Sequence, residues 1–291
     1  MNTRHNSLPN WSAEPPAVTL VLRHGQQALS EASSMPALEA QLLLAHVLAL
    51  PRIRLWSHPE TPVAPPALQQ YLDLIARRQA GEPLAYVLGE TEFCALTLKV
   101  NPAALIPRPE TELLVARALA LLDAQPRQVA DLGTGSGAIA LALAINRPHW
   151  RLIATDISAD ALALAQENAQ RLHLPVEFYL GAWCEALPDT PFDMIVANPP
   201  YIAEGDPHLP ALRHEPRLAL TAGADGLTAI HIIAAQARGH LRRGGWLLIE
   251  HGYDQGEAVA KLLAELGYQA VMGERDLAGH PRLSWGRWPG D

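Results

Sequence analysis

Cysteine and lysine are nearly missing from this sequence, and several longer patterns are missing altogether. The two cysteines, Cys94 and Cys184, stand far apart and form no CxxC pair. Nothing in that spacing supports a disulfide framework or a zinc site, and a cytoplasmic protein with reduced thiols is expected. No stretch approaches the ~18 consecutive apolar residues of a membrane span, so no membrane association is expected. The opening residues, MNTRHNSLPNWSAEPP, lack the hydrophobic segment of a secretory signal, and residues 1–16 read as a flexible tail. The histidines, including His251 after LLIE, show no metal-ligand spacing and read as structural.

Lysine is confined to Lys99 and Lys261, and the overall balance is acidic, with 22 Lys+Arg against 30 Asp+Glu and a net charge of −8. The first 100 residues hold 7 basic and 8 acidic side chains, so almost all of the excess lies after them. Polyanion binding draws most of its non-specific affinity from a basic surface, so nucleic acid is disfavoured as the main substrate. What is present is ordinary globular material: 291 residues, 49% hydrophobic and 18% charged, enough for one large or two modest domains.

The first part of the chain reads as helical. In ALEAQLLLAHVLAL the apolar residues Leu38, Leu42, Ala45 and Ala49 share one helical face, and Leu68, Tyr71, Leu72 and Ile75 repeat the pattern further on. Each stripe needs a partner helix, which predicts a small bundle ending near residue 88. EFCALTLKV, residues 92–100, suits a strand or hairpin. From residue 109 the pattern alternates between strands and helices: RQVADLG, GAIALALAI, RLIATD, SADALALAQENAQRL, VEFYL, DMIVAN, then GLTAIHIIAAQARGHL, WLLIEHG and RLSWGRW. Alternation at this length implies right-handed crossovers and a mostly parallel sheet covered on both faces, with sites gathered at the carboxyl ends of the strands.

Two stretches fall at such ends. In DLGTGSGAIA, Gly133, Gly135 and Gly137 permit a tight turn, and the following helix start presents free N–H groups to an anionic ligand. Gly133, Gly135 and Ala138 also satisfy the dinucleotide pattern GxGxxG/A, so this turn alone does not name its ligand. Asp156 ends the strand RLIATD, where an acid accepts both hydroxyls of a ribose or caps the next helix; Ser158 can supply that cap itself. Trp183 follows the next strand and suits either a purine face or a half-buried core position. IPRPETE carries Pro109, Glu110 and Glu112 at a helix start, which is favourable local electrostatics with or without a ligand nearby.

VANPPY is more particular. A strand cannot continue through Pro199 and Pro200, and the stiffened chain carries Asn198 and Tyr201 out of the sheet. A planar amide or aromatic amine is a poor nucleophile because its nitrogen lone pair is delocalised. To attack a methyl group its N–H bonds must be held while the nitrogen becomes tetrahedral. The Asn198 side-chain oxygen and the Pro199 carbonyl are two acceptors for such an NH₂ group, and Tyr201 can stack on the planar substrate. Hydride transfer has no use for this arrangement.

Together, DLGTGSG, Asp156 and NPPY resemble the class I S-adenosylmethionine-dependent methyltransferases that modify a planar nitrogen. GEPLAYVLGETEF, LIPRPETELLV at 105–115, HEPRLAL, GADGL and LLIEHGYDQGEAV narrow the resemblance to the bacterial peptide-chain-release-factor glutamine methyltransferases of the HemK/PrmC type, over nearly everything after the first 15 residues. The resemblance implies an α/β fold: a helical N-terminal domain over residues 17–88, of five helices, a β-hairpin linker over 89–108, and a Rossmann-like, seven-stranded, mostly parallel methyltransferase sheet over 109–291 with an antiparallel last strand. It implies S-adenosyl-L-methionine as cofactor. The substrate it implies is the glutamine amide in the Gly-Gly-Gln tip of class 1 release factors, bound with help from the N-terminal helices.

By position, the turn Gly133, Thr134, Gly135, Ser136 and Gly137 would hold the methionine part of the cofactor, Asp156 the ribose, and Trp183 the adenine, with Asn198 also touching the cofactor. Asn198, Pro199, Pro200 and Tyr201 would clamp the glutamine amide, Asn198, Pro199 and Tyr201 being the catalytic set. Ala182 stands where family members often carry an acid, so the resemblance does not extend to a side-chain contact with the adenine amine at that position. No metal and no nucleic-acid substrate are implied, and a monomer is expected. The competing readings are a methyltransferase acting on the exocyclic amine of adenine or guanine, and an interaction module that keeps the fold without turnover.

Overall fold

Where uninterrupted helical periodicity gives way to alternating strand and helix, the chain divides into two units, residues 1–88 and 89–291. They are seen in a computed structural model that describes residues 14–290, so most of the expected tail at 1–16 lies outside the described residues. Among the described residues the first unit holds five helices, α1 (Val18–Ala28), α2 (Pro36–Leu48), α3 (Arg52–Ser57), α4 (Pro65–Gln79) and α5 (Leu84–Leu88). Pro36 and Pro65 open their helices, where a missing N–H costs no hydrogen bond. Val21, Leu43, Leu44 and Tyr71 are fully buried between them, and the Arg78 guanidinium ties α4 to Glu39 of α2 at 2.8 Å.

The buried face of α2 differs from the expected one. Ala40, Leu43, Leu44 and Ala45 are buried, Leu38 and Leu42 are half-buried, and Ala49 is exposed in the left-handed conformation that ends the helix, with φ 50°. The helix is apolar on nearly every side, so periodicity alone does not choose a face. On α4 the expected stripe is the packed one: Tyr71 and Ile75 are buried and Leu68 and Leu72 lean on the same cluster.

The second unit opens with the hairpin β1 (Glu90–Phe93) and β2 (Leu96–Lys99), paired antiparallel. Phe93, Leu96 and Leu98 join the core of the sheet that follows. Its strands are β3 (Gln128–Leu132), β4 (Arg151–Asp156), β5 (Val176–Leu180), β6 (Phe192–Ala197), β7 (Leu241–Glu250), β8 (Gln269–Arg275) and β9 (Pro281–Arg287). The seven are ordered β5-β4-β3-β6-β7-β9-β8. All pairings from β5 to β7 are parallel, and β9 runs antiparallel to both of its neighbours.

The strands carry apolar side chains on both faces, because helices cover both. Val129, Met194 and Val196 pack towards α6 (Glu112–Leu121) and α7 (Ala138–Asn146), while Ala130, Ile195 and Ala197 face α9 (Thr228–Ala237) and α10 (Gly256–Glu265). Helix α8 (Ala159–Leu172) follows β4. The order reverses between β3 and β6, whose last residues, Leu132 and Ala197, are register partners. The glycine turn and NPPY therefore leave the sheet side by side at its switch point.

Candidate active site

The glycine turn is shaped by its own backbone. Gly133, Gly135 and Gly137 have φ of 70°, 58° and 85°, a region L-residues rarely enter. A methyl group on Gly137 would stand 3.1 Å from Leu141 Cδ1 and 3.2 Å from Ala165 Cβ, and one on Gly133 would stand 3.1 Å from the Trp183 ring. The N–H groups of Gly133 and Thr134 both donate to the Thr155 carbonyl, at 2.8 and 2.9 Å, so β4 holds the turn from beneath. Asp131 is fully buried; its Oδ2 accepts from Thr134 Oγ1 at 2.6 Å and from the Ala140 N–H at 3.2 Å. Burial raises its pKa to about 7 against the pull of those two bonds.

Asp156 stands across the turn. Its Oδ2 accepts from the Gly135 N–H and its Oδ1 from the Ser158 N–H, each at 2.9 Å. Burial raises its pKa, with backbone hydrogen bonds opposing. Ser158 Oγ caps α8 by accepting from the Ala161 N–H at 3.2 Å, so the helix does not need Asp156 as its cap. The Ile157 N–H adds a third backbone contact that favours the ionised carboxylate, which as an acceptor-only group suits a ligand hydroxyl.

A cleft of about 360 Å³ runs over these residues. Gly133, Thr134, Gly135, Ser136, Asp156, Trp183, Asn198 and Pro200 line it together, and so does Ala182. Gly137 does not line it and instead lets α7 pack closely on α8. Ser136 Oγ is buried and without a hydrogen-bond partner, a polar atom that a ligand in the cleft would satisfy. Leu105, Pro107 and Leu218 add apolar wall.

NPPY is held from three sides. Asn198 Nδ2 donates to Thr111 Oγ1 at 3.0 Å. Thr111 belongs to a single 3₁₀ turn, Pro109–Thr111, that precedes α6. Pro199 is buried and Tyr201 half-buried, and neither lines the cleft as the free chain stands. The Tyr201 carbonyl accepts from Gln255 Nε2 at 3.0 Å, and Gly226, at φ 75°, passes so close that a methyl group there would lie 2.2 Å from that carbonyl oxygen. The Tyr201 hydroxyl lies beside Glu250 and Arg282, and burial raises its pKa to about 12.

The loop after NPPY returns on itself, with Ile202 bridging Thr221. Glu215, buried within it, accepts from Arg108 Nη2 at 2.5 Å and from the Ile106 N–H at 3.2 Å. IPRPETE and HEPRLAL, distant in sequence, thus form one wall of the cleft. Sequence alone gives Gln255, Gly226, Glu215 and Glu250 no place at the site, and Thr111 one only through its segment, IPRPETE, which by resemblance borders the pocket. All five lie in the stretches that carry the family resemblance.

The two cysteines are free thiols, and burial pushes Cys94 to about 11, with the Glu112 carboxylate adding to it, and Cys184 to about 12. Among the described residues no cluster of three or more His, Cys, Asp or Glu could hold a metal, and no helix is long and apolar enough to cross a membrane.

Comparison with known proteins follows the same division of the chain. A family described as the PrmC N-terminal domain matches residues 21–89, and one described as the Methyltransferase small domain matches residues 110–214. A release factor glutamine methyltransferase of Coxiella burnetii is 49% identical over 259 residues, covering 88% of this chain and 94% of that protein. One of Pseudomonas aeruginosa is 52% identical over 254 residues, covering 86% and 92%. Among solved structures, a T. thermophilus 16S rRNA N2 G1207 methyltransferase in complex with AdoMet and guanosine superposes with a TM-score of 0.53 at 20% identity, covering 68% of this chain and 49% of that one. That last likeness is one of fold. The identities over nearly the full length carry more: this chain belongs to the release factor glutamine methyltransferase family.

Proposed function

We propose that this protein transfers the methyl group of S-adenosyl-L-methionine to the side-chain amide nitrogen of the glutamine in the Gly-Gly-Gln motif of class 1 peptide chain release factors, in the cytoplasm. The observation that carries the reading is the Asn198 amide. With Nδ2 engaged by Thr111 at 3.0 Å, Oδ1 is the end left for the cleft that Asn198 shares with Asp156 and the glycine turn. An acceptor so placed is what an amide NH₂ requires and what a carbonyl or carboxylate substrate would avoid.

The residues fit the cofactor. Asp156 is an acceptor-only carboxylate at the cleft, suited to ribose hydroxyls, and the unpartnered Ser136 hydroxyl offers a further polar contact. S-adenosylmethionine, when bound, supplies an already activated methyl group on a sulfonium. The chain supplies alignment. Asn198 Oδ1 and the Pro199 carbonyl accept the two amide hydrogens, which turns the nitrogen lone pair out of conjugation and towards the donor. The prolines fix where both acceptors point, and the Gln255 and Gly226 contacts hold the Tyr201 backbone beside them.

The test is incubation with methyl-labelled cofactor and, in parallel, a class 1 release factor and a mixed nucleic-acid substrate. Label is expected on the peptide that contains Gly-Gly-Gln, on the glutamine side chain. Label on nucleic acid with none on the release factor would replace this reading by the exocyclic-amine one.

A further inference from the structure

We propose that Thr111 and Glu250 are positioning residues that decide which end of the Asn198 side-chain amide faces the substrate. The inference rests on the reading of Asn198 as the amide clamp and adds what makes that clamp work. An asparagine amide is nearly symmetric in shape and opposite in polarity at its two ends. Turned over, Asn198 would meet the substrate NH₂ with an NH₂ of its own. The hydrogen bond from Asn198 Nδ2 to Thr111 Oγ1 selects the useful orientation only if Thr111 accepts. A hydroxyl donates as readily as it accepts, so Thr111 alone would serve either orientation.

Glu250 removes that freedom. It ends β7, beside β6 and therefore beside Asn198, and it is 1% exposed. Neither of its carboxylate oxygens has a hydrogen-bond partner, so both are open to a neighbouring donor. Among its neighbours the Thr111 and Tyr201 hydroxyls favour its ionised form. An ionised carboxylate only accepts. The Thr111 proton is therefore drawn to Glu250, the Thr111 lone pair is left for Asn198 Nδ2, and Oδ1 is presented to the cleft. The Tyr201 hydroxyl is oriented by the same carboxylate, so one buried charge sets the polarity of both flanks of NPPY.

The charged and titratable groups facing Glu250 come from three elements: Arg282 of β9 favours the ionised form, Glu110 of the turn before α6 opposes it, and Tyr201 faces it from the loop after β6. Burial dominates and raises its pKa to about 7. Once protonated, Glu250 donates as well as accepts, and the chain of hydrogen bonds from Asn198 through Thr111 loses its fixed direction. Methylation is accordingly expected to fall on acidification through that range.

The experiment compares the full-length protein with Thr111→Val, Thr111→Ser, Glu250→Gln and Asn198→Ala. For each, single-turnover methylation of a class 1 release factor is measured at saturating S-adenosylmethionine from pH 5.5 to 9, with cofactor affinity measured by calorimetry. Thr111→Val is expected to lose about 10- to 100-fold in rate, the range for one charge-assisted hydrogen bond, with cofactor affinity changed less than about twofold. Thr111→Ser is expected to keep most of the rate. Glu250→Gln is expected to be slower at high pH and to lose the acid limb; Asp131, also raised to about 7, would leave that limb in place. Thr111→Val at the wild-type rate, or Glu250→Gln with an unchanged rate and acid limb, overturns the proposal. If Asn198→Ala is slow while those variants are fast, the clamp stands and the relay falls. If Asn198→Ala is itself fast, the clamp falls and the relay with it. Should Glu250→Gln fail to fold, the Thr111 pair decides alone.

Discussion

Asp156, half-buried, and Glu250, fully buried, are two acids at the same end of the sheet with different surroundings. Asp156 is met by backbone donors from Gly135 and Ser158 and lines the cleft. Asp156→Ala is expected to weaken S-adenosylmethionine binding by about 1.5–3 kcal/mol, the range for hydrogen bonds to a charged group, as read by calorimetry on the folded variant. Glu250 lacks such donors, and its folded-state pKa is raised to about 7 from 4.5. The sign follows: the folded protein holds that proton more tightly than the unfolded chain. The cost of ionising Glu250 is absent below the unfolded value and fully present above the folded one. Glu250→Gln is expected to raise the melting temperature relative to wild type at pH 8.5, with the gap closing towards pH 5. A gap that does not change with pH would mean that Glu250 is not the strained charge. At this scale the sequence was legible where the requirement is local. Three glycines at positive φ and a serine cap announce themselves in a short window. Thr111 and Glu250 do not, because each matters through a partner more than 80 residues away or in another strand.

The elements around the site are pinned to one another by single side chains. Asn168 on α8, 1% exposed, accepts from the Lys99 N–H at 2.7 Å and donates to the carbonyls of Lys99 and Ser136, each at 3.0 Å. One amide therefore fastens the hairpin and the glycine turn to the same helix. Asn168→Ala leaves buried backbone groups without partners and is expected to cost about 2–4 kcal/mol in denaturant unfolding, with weaker cofactor binding because the turn is loosened. A loss within a few tenths of a kcal/mol would show that water replaces the amide. Alternating strand and helix made the order of the central elements readable, because buried parallel strands are short apolar runs bounded by turns. Strand β8 was not among the runs read from the residues. It lies at the sheet edge, mostly exposed, and so carries no apolar stretch. The misplaced face of α2 has the opposite origin, too many apolar residues for a period to stand out.

On the scale of the whole molecule, the second unit contains every residue assigned to the cleft, which leaves the helices of residues 1–88 without a part in the chemistry. A single glutamine at a loop tip offers far less contact than the roughly 800 Å² per partner of a specific interface. We propose that the first unit contributes to release-factor binding. A chain beginning at Gly89 is expected to bind S-adenosylmethionine but to methylate intact release factor far more slowly, the difference appearing in KM. Full activity of that shorter chain would leave the helices a role in folding only. The fold class was legible at this scale because composition and periodicity change together between residues 88 and 109. The family was legible only through resemblance, since no local pattern encodes the shape of a partner.

The central claim is that NPPY acts on the reacting nitrogen in the transition state, and Asn198→Ala tests it most directly through two measurements on one variant. The first is S-adenosylmethionine affinity; the second is the single-turnover rate of methyl transfer to a class 1 release factor. The account predicts near-wild-type affinity with a rate lowered by about 10²–10³, the usual cost of one aligned hydrogen-bonding group in a transition state. A near-normal rate would contradict the clamp. A loss of affinity equal to the loss of rate would place Asn198 in the cofactor pocket instead.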